Sequence, residues 1–163
     1  MNYCESVVVD YLRADRALFV NTECCIQINE ADNPDSSGAH WYCDAAADFR
    51  SKRVFLCEIS YAMGLDALLK RLKGWQENWD GVCGALLRDS FLPQDWAVRP
   101  WLFVPEECVA VLTKGLDQIG KGGPLKFTPR ITPLQMVQPW KYRSWNRKGE
   151  ATKPRSIPES MQG

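Results

Sequence analysis

At 163 residues, 45% of them hydrophobic, and with 20 basic residues balancing 20 acidic ones, the chain has the mass for one domain with a proper core. It has no global field that would draw it to a polyanion. Its longest apolar runs are too short to span a bilayer, its start (Met1 to Glu5) lacks the pattern of a secretion signal, and its single histidine, His40, excludes multi-histidine zinc sites. A cytoplasmic location is expected. The seven cysteines show no C-x-x-C spacing and read as reduced thiols, with Cys24 and Cys25 also assigned to packing.

In chain order, residues 5–20 place Val7, Val8, Tyr11, Leu12 and Leu18 between the charges Asp10, Arg13, Asp15 and Arg16, which predicts a helix. Residues 41–49 and 53–61 are dense in aromatic and apolar residues around the polar turn Arg50, Ser51 and Lys52, which predicts a β-hairpin. From Gly64 and Asp66 onward, Leu65, Leu68, Leu69, Leu72 and Trp75 recur at three- and four-residue steps with Lys70, Arg71 and Lys73 between them, an amphipathic basic helix. A looser segment runs to Trp96, followed by a strand over 98–104 and a helix over 106–119 ended by Gly120. The glycines that follow lack the Gly-Lys-Ser/Thr ending of a phosphate loop and read as a turn. Residues 125–137 contain Pro129 and Pro133, which favour an edge strand or a loop. The order is α-β-β-α-β-α. Residues 1–137 are expected to form the globular domain, 138–163 a basic, Trp-containing arm, and 151–163 a disordered end.

Each arm of the hairpin carries an acid. Because side chains alternate along a strand, Val54, Leu56, Glu58 and Ser60 share one face, and Phe55, Cys57, Ile59 and Tyr61 the other. Glu58 therefore interrupts an apolar face, where a carboxylate costs several kcal/mol unless a cation or hydrogen bonds compensate it. A hard divalent ion held by two carboxylates, Asp44 and Glu58, satisfies that need. A nearby Arg or Lys would satisfy it too. Asp48 lies on the face of Asp44 but nearer the turn, where it is expected to be solvated.

On these residues the chain resembles the PD-(D/E)xK nuclease superfamily over roughly residues 5–119. Cys43-Asp44 stands where the family has Pro-Asp, and Glu58-Ile59-Ser60 where it has Glu-x-Lys. The resemblance implies an α/β, restriction-endonuclease-like three-layer core with a mixed central sheet. It further implies Mg²⁺ or Mn²⁺ on Asp44 and Glu58, with Glu5 as an additional acid, and hydrolysis of phosphodiester bonds in nucleic acid, DNA before RNA. Small members of the superfamily often belong to mobile elements or defence systems. Ser60 replaces the family's lysine and cannot supply its charge. Either a lysine has migrated, with Lys70 and Lys73 the candidates, or catalysis is lost and the fold serves as a protein- or nucleic-acid-binding module.

Charge is partitioned along the chain. Residues 1–120 carry 11 Lys or Arg against 18 Asp or Glu, a net of −7, and residues 121–163 carry 9 against 2, a net of +7. Within the tail, Trp140, Lys141, Arg143, Trp145, Arg147 and Lys148 interleave aromatics with cations, a composition suited to nucleic acid, to which Arg71 would add. The alternative is an arm whose cations cover the acidic body. Trp75, Trp79, Trp96 and Trp101 are either core or, if exposed, a face for a protein partner or a homodimer.

Overall fold

A computed structural model describes residues 2–30, 33, 38–61 and 64–138. Its first helix, α1 (Tyr3–Arg13), opens on a capping box: the Glu5 amide donates to Asn2 Oδ1 at 3.0 Å, and the Asn2 amide to Glu5 Oε2 at 2.8 Å. The helix stops at Arg13, short of the expected residue 20. Asp15 turns the chain there, its carboxylate accepting from the Ala17 amide and its carbonyl from the Leu18 amide. Leu18 then begins a strand, β1 (Leu18–Gln27), absent from the sequence expectation. The helical spacing of Leu18 with Tyr11 and Leu12 concealed that change of element.

The hairpin forms as expected, from β2 (His40–Asp48) and β3 (Arg53–Ile59). The helix after it, α2 (Asp66–Ser90), is far longer than expected. The buried stripe Leu68, Leu72, Trp75, Trp79, Val82 and Leu86 runs on past Trp75, so the amphipathic face continues into the segment expected to be looser. Asn78 departs from helical angles and its side-chain Nδ2 donates to the Gly74 carbonyl at 2.9 Å, which marks a kink. Gly81 is needed for close approach: a Cβ there would lie 3.1 Å from Ile28. The strand β4 (Ala97–Val104), the helix α3 (Val109–Ile119) behind a short 3-10 turn, and β5 (Arg130–Pro133) complete the order.

The sheet runs β1-β2-β3-β4-β5, antiparallel from β1 to β3 and parallel from β3 to β5. The α/β class and the mixed sheet thus stand. The order gains β1 ahead of the hairpin, and the segment expected as an edge strand or a loop supplies β5 at the far edge, where Pro129 just before it and Pro133 at its end are tolerated. The alternation along β3 divides two cores. Val54 and Leu56 pack with α2 and α3, and Phe55, Cys57 and Ile59 with Val7, Val8, Tyr11 and Leu12 of α1. Helices therefore cover both faces. Trp75, Trp79, Trp96 and Trp101 are all buried, so these four belong to the core and offer no partner face. Cys43 and Cys57 are buried free thiols, their pKa values pushed well up by burial. No described helix is long and apolar enough to cross a membrane.

Asp48 corrects the expectation of a solvated residue. It is fully buried, and its Oδ1 accepts from the Arg50 amide and Nε and from the Ser51 amide. Arg50 also donates Nη2 to the equally buried Asp15 at 2.6 Å. The hairpin turn folds back over both acids and clamps the start of β1 to the end of β2, which ties Asp48 to structure at the end of the sheet away from Asp44.

Trp101 anchors the α1-side core. It contacts Tyr11, Phe55 and Phe103, lies 4.2 Å from the Arg130 guanidinium, and donates Nε1 to Thr132 Oγ1 at 2.9 Å. Trp101→Ala is expected to destabilise the protein by about 3–5 kcal/mol, read as a lower urea midpoint. Trp101→Phe, which keeps most of the ring volume, should cost clearly less.

Candidate functional site

The ladder between β2 and β3 ends at the Asp44–Cys57 pair, although β2 extends back to His40 and β3 on to Ile59. Beyond that point each strand stays with its other neighbour. Tyr42 and Cys43 remain paired with Cys25 and Cys24 of β1, while Glu58 and Ile59 remain paired with Leu102 and Phe103 of β4. The sheet parts between them. Asp44 lies opposite Cys57 and so on the α1 side, whereas Glu58 shares the α2-side face of Leu56. Two acids on opposite faces reach one opening because the strands separate there.

The opening is a cleft of about 260 Å³ lined by Glu5, Glu23, Tyr42, Cys43, Asp44, Cys57, Glu58, Ile59 and Arg71. Four of these are acids and one is a cation. Arg71 Nη1 donates to Glu58 Oε1 at 2.9 Å and also to the Tyr42 carbonyl. One guanidinium thus joins the separated strand ends. Glu58 has a side-chain exposure of 13%, and its pKa is raised from 4.5 to about 7. Burial is the largest cause and Asp44 adds to it. The charge of Arg71 and its hydrogen bond oppose the rise without cancelling it. Asp44 is half-buried, and its pKa is also raised, first by burial and then by Glu5 and Glu23. The Glu23 amide, donating to Asp44 Oδ1 at 2.9 Å, pulls the other way, as does Arg13.

Three of the expected site residues, Glu5, Asp44 and Glu58, meet in this cleft, and Glu5 serves the capping box of α1 as well. Ser60, Lys70 and Lys73 do not join them. Ser60 lies beyond β3, with its amide donating to the Phe103 carbonyl. Lys70 is exposed on α2, and Lys73 lines a separate cleft with Gln76, Glu77, Gln118, Ile119 and Gly122. Helical geometry decides this: Arg71 is three residues from Leu68 and four from Trp75, on the edge of the buried stripe, whereas Lys70 and Lys73 turn outward. Arg71, expected to add to a nucleic-acid surface, lines the cleft as its cation among the described residues. Glu23 was missed altogether. Its only signal is an acid in a polar edge strand, which does not reveal a bulge. Trp140, Lys141, Arg143, Trp145, Arg147 and Lys148 lie outside the described residues, as does nearly all of the proposed arm.

Among the described residues, no group of three or more His, Cys, Asp or Glu side chains is arranged as a metal-binding cluster. The donors of the cleft nonetheless include only oxygen acids beside its two buried thiols, and a Mg²⁺-type ion is often held by one or two carboxylates. One Glu58 oxygen is already engaged by Arg71.

No family model matches the chain, and no curated protein is significantly similar to it in sequence. Among solved structures, it is similar to the crystal structure of an XisH family protein from Nostoc punctiforme, with 13% identity, a TM-score of 0.47, and coverage of 81% of this chain and 94% of that one. Likeness at that level assigns no residue a role.

The raised pKa of Glu58 has a defined sign for stability. Between pH 4.5 and about 7 the folded state keeps a proton that the unfolded state releases. Stability contributed by this group is therefore complete at low pH and declines as pH rises through that window, by on the order of 3 kcal/mol in total. Urea midpoints measured from pH 4.5 to 8 should fall less steeply for Glu58→Gln than for the wild type. In Arg71→Met, carboxyl NMR should show Glu58 titrating above its wild-type midpoint. An unchanged midpoint would mean that the ion pair does not form.

Proposed function

We propose that the cleft is the site of a nuclease that hydrolyses phosphodiester bonds, DNA before RNA, with the help of a divalent cation such as Mg²⁺ or Mn²⁺. The observation that carries this reading is the separation of β2 from β3, which opens one cleft lined by Glu5, Asp44, Glu58 and Arg71. An acidic, partly desolvated cleft is a poor place for a phosphate unless a cation offsets its charge. Asp44 and Glu58 would hold the ion, with Glu5 beside them. When bound, the ion would polarise the scissile phosphate and lower the pKa of a coordinated water. A guanidinium is a hydrogen-bond donor and not a general base. The role of Arg71 would be to offset charge that develops on the phosphate, the task for which Ser60 is unsuited. Ionised Glu58 is the form that binds a cation, so affinity should rise with pH towards and beyond about 7.

A second reading, a binding module without catalysis, is favoured by the same ion pair. Arg71 already compensates part of the Glu58 charge, and among the described residues no lysine lines the cleft. In that case the pair would hold the strand ends together and leave the acidic rim to a partner.

Cleavage of labelled single-stranded, duplex and branched DNA, and of RNA, in Mg²⁺ and in Mn²⁺ separates the two. The nuclease reading expects metal-dependent cutting by the wild type. It expects a loss of about 100-fold or more in Asp44→Ala and Glu58→Ala, and a comparable loss in Arg71→Met. Wild-type protein that cuts none of these substrates, or acid variants that cut as fast as wild type, would remove the nuclease reading.

A further inference from the structure

The strand β1 departs from regular pairing at one place. Asn21 pairs with Ala45 and Cys24 with Cys43, so two residues, Thr22 and Glu23, stand opposite the single residue Asp44. This is a β-bulge, and bulges redirect backbone groups that a regular ladder would use up. Here the redirected group is the Glu23 amide, which donates to Asp44 Oδ1 at 2.9 Å. To do so, Glu23 adopts φ 54°, a left-handed conformation that a residue with a Cβ rarely takes and that glycine would take at less cost. Glu23 lines the cleft beside the acid that its backbone holds.

We propose that the Thr22–Glu23 bulge is a positioning element of the site, which holds one oxygen of Asp44 by a backbone amide and so presents the acid to the cleft in a fixed orientation. The inference rests on the reading of Asp44 as a working acid, and it adds a residue pair on another strand to that site. Three observations converge on it: the two-against-one register, the positive φ, and the hydrogen bond. The amide and the carboxylate of Glu23 can be separated by substitution, because Glu23→Gly keeps the backbone donor to Asp44 and removes the side chain.

The test is hydrogen exchange of the Glu23 amide in the full chain, with Mn²⁺ binding measured in parallel by calorimetry. Asp44→Ala should exchange that amide about tenfold faster than wild type if Asp44 is its acceptor, and equal rates would overturn the proposal. Deleting Thr22 restores one-to-one pairing opposite Asp44 and is expected to weaken Mn²⁺ binding at pH 7 by about tenfold or more. Glu23→Gly keeps the amide and the left-handed backbone, so it is expected to hold Mn²⁺ within about threefold of wild type. A folded deletion variant that binds Mn²⁺ as tightly as wild type, or a loss in Glu23→Gly like that in the deletion, would overturn the proposal. If the deletion variant does not fold, exchange of the Glu23 amide decides. Wild-type protein that binds no Mn²⁺ would defeat the metal reading of the cleft, while amide exchange would still judge the bulge.

Discussion

The separation of β2 from β3 beyond the Asp44–Cys57 pair is the constraint on which the rest of the site depends. A continuous ladder would keep Asp44 and Glu58 on opposite sides of a closed sheet, where neither could share a ligand with the other. Parting the strands frees backbone groups that must find other partners, because a buried carbonyl without a donor costs about 1–3 kcal/mol. Arg71 supplies one donor to the Tyr42 carbonyl and another to Glu58. The same guanidinium therefore answers a backbone need and a carboxylate need.

The two ends of the sheet treat acids differently. At the hairpin turn, Asp15 and Asp48 are fully buried and share Arg50, with Asp48 also accepting two backbone amides. That end is committed to structure. At the parted end, Glu58 has one arginine and Asp44 one amide, and burial still outweighs what those partners offer, so both pKa values are raised. Groups left in that condition are candidates for function, since a cation or a proton completes them at little structural cost. A buried ion pair alone is weak evidence for function, but the pair here is incomplete and opens to a cleft.

The two cores explain how the parting is tolerated. The α1-side core ties α1 to β3 and β4 through Tyr11, Phe55, Trp101 and Phe103, and the α2-side core ties α2 and α3 to the opposite face. Glu5 projects from α1 and Arg71 from α2, so each layer contributes one side chain to the gap in the middle layer. The site is thus held by rigid elements, which favours a defined geometry over a mobile one.

Much of this was legible in the order of residues. The alternation of β3 separated its two faces correctly, the turn at Arg50 to Lys52 marked the hairpin, and a carboxylate inside an apolar strand marked Glu58. These signals are local: they follow from period-two and period-3.6 burial within one element. What remained hidden depends on partners far along the chain. Whether Arg71 or a lysine meets Glu58 turns on the rotation of α2 against the sheet, and whether Glu23 meets Asp44 turns on one extra residue in the register of β1. The burial of Asp48 depends on where Arg50 folds back. By itself the sequence determined which residues would alternate, cap and turn, and that two acids would stand on neighbouring strands. Only the tertiary structure decided that the strands part between those acids and that an arginine from another layer fills the gap, because pairing and charge compensation are set by contacts between elements and not by the pattern within one.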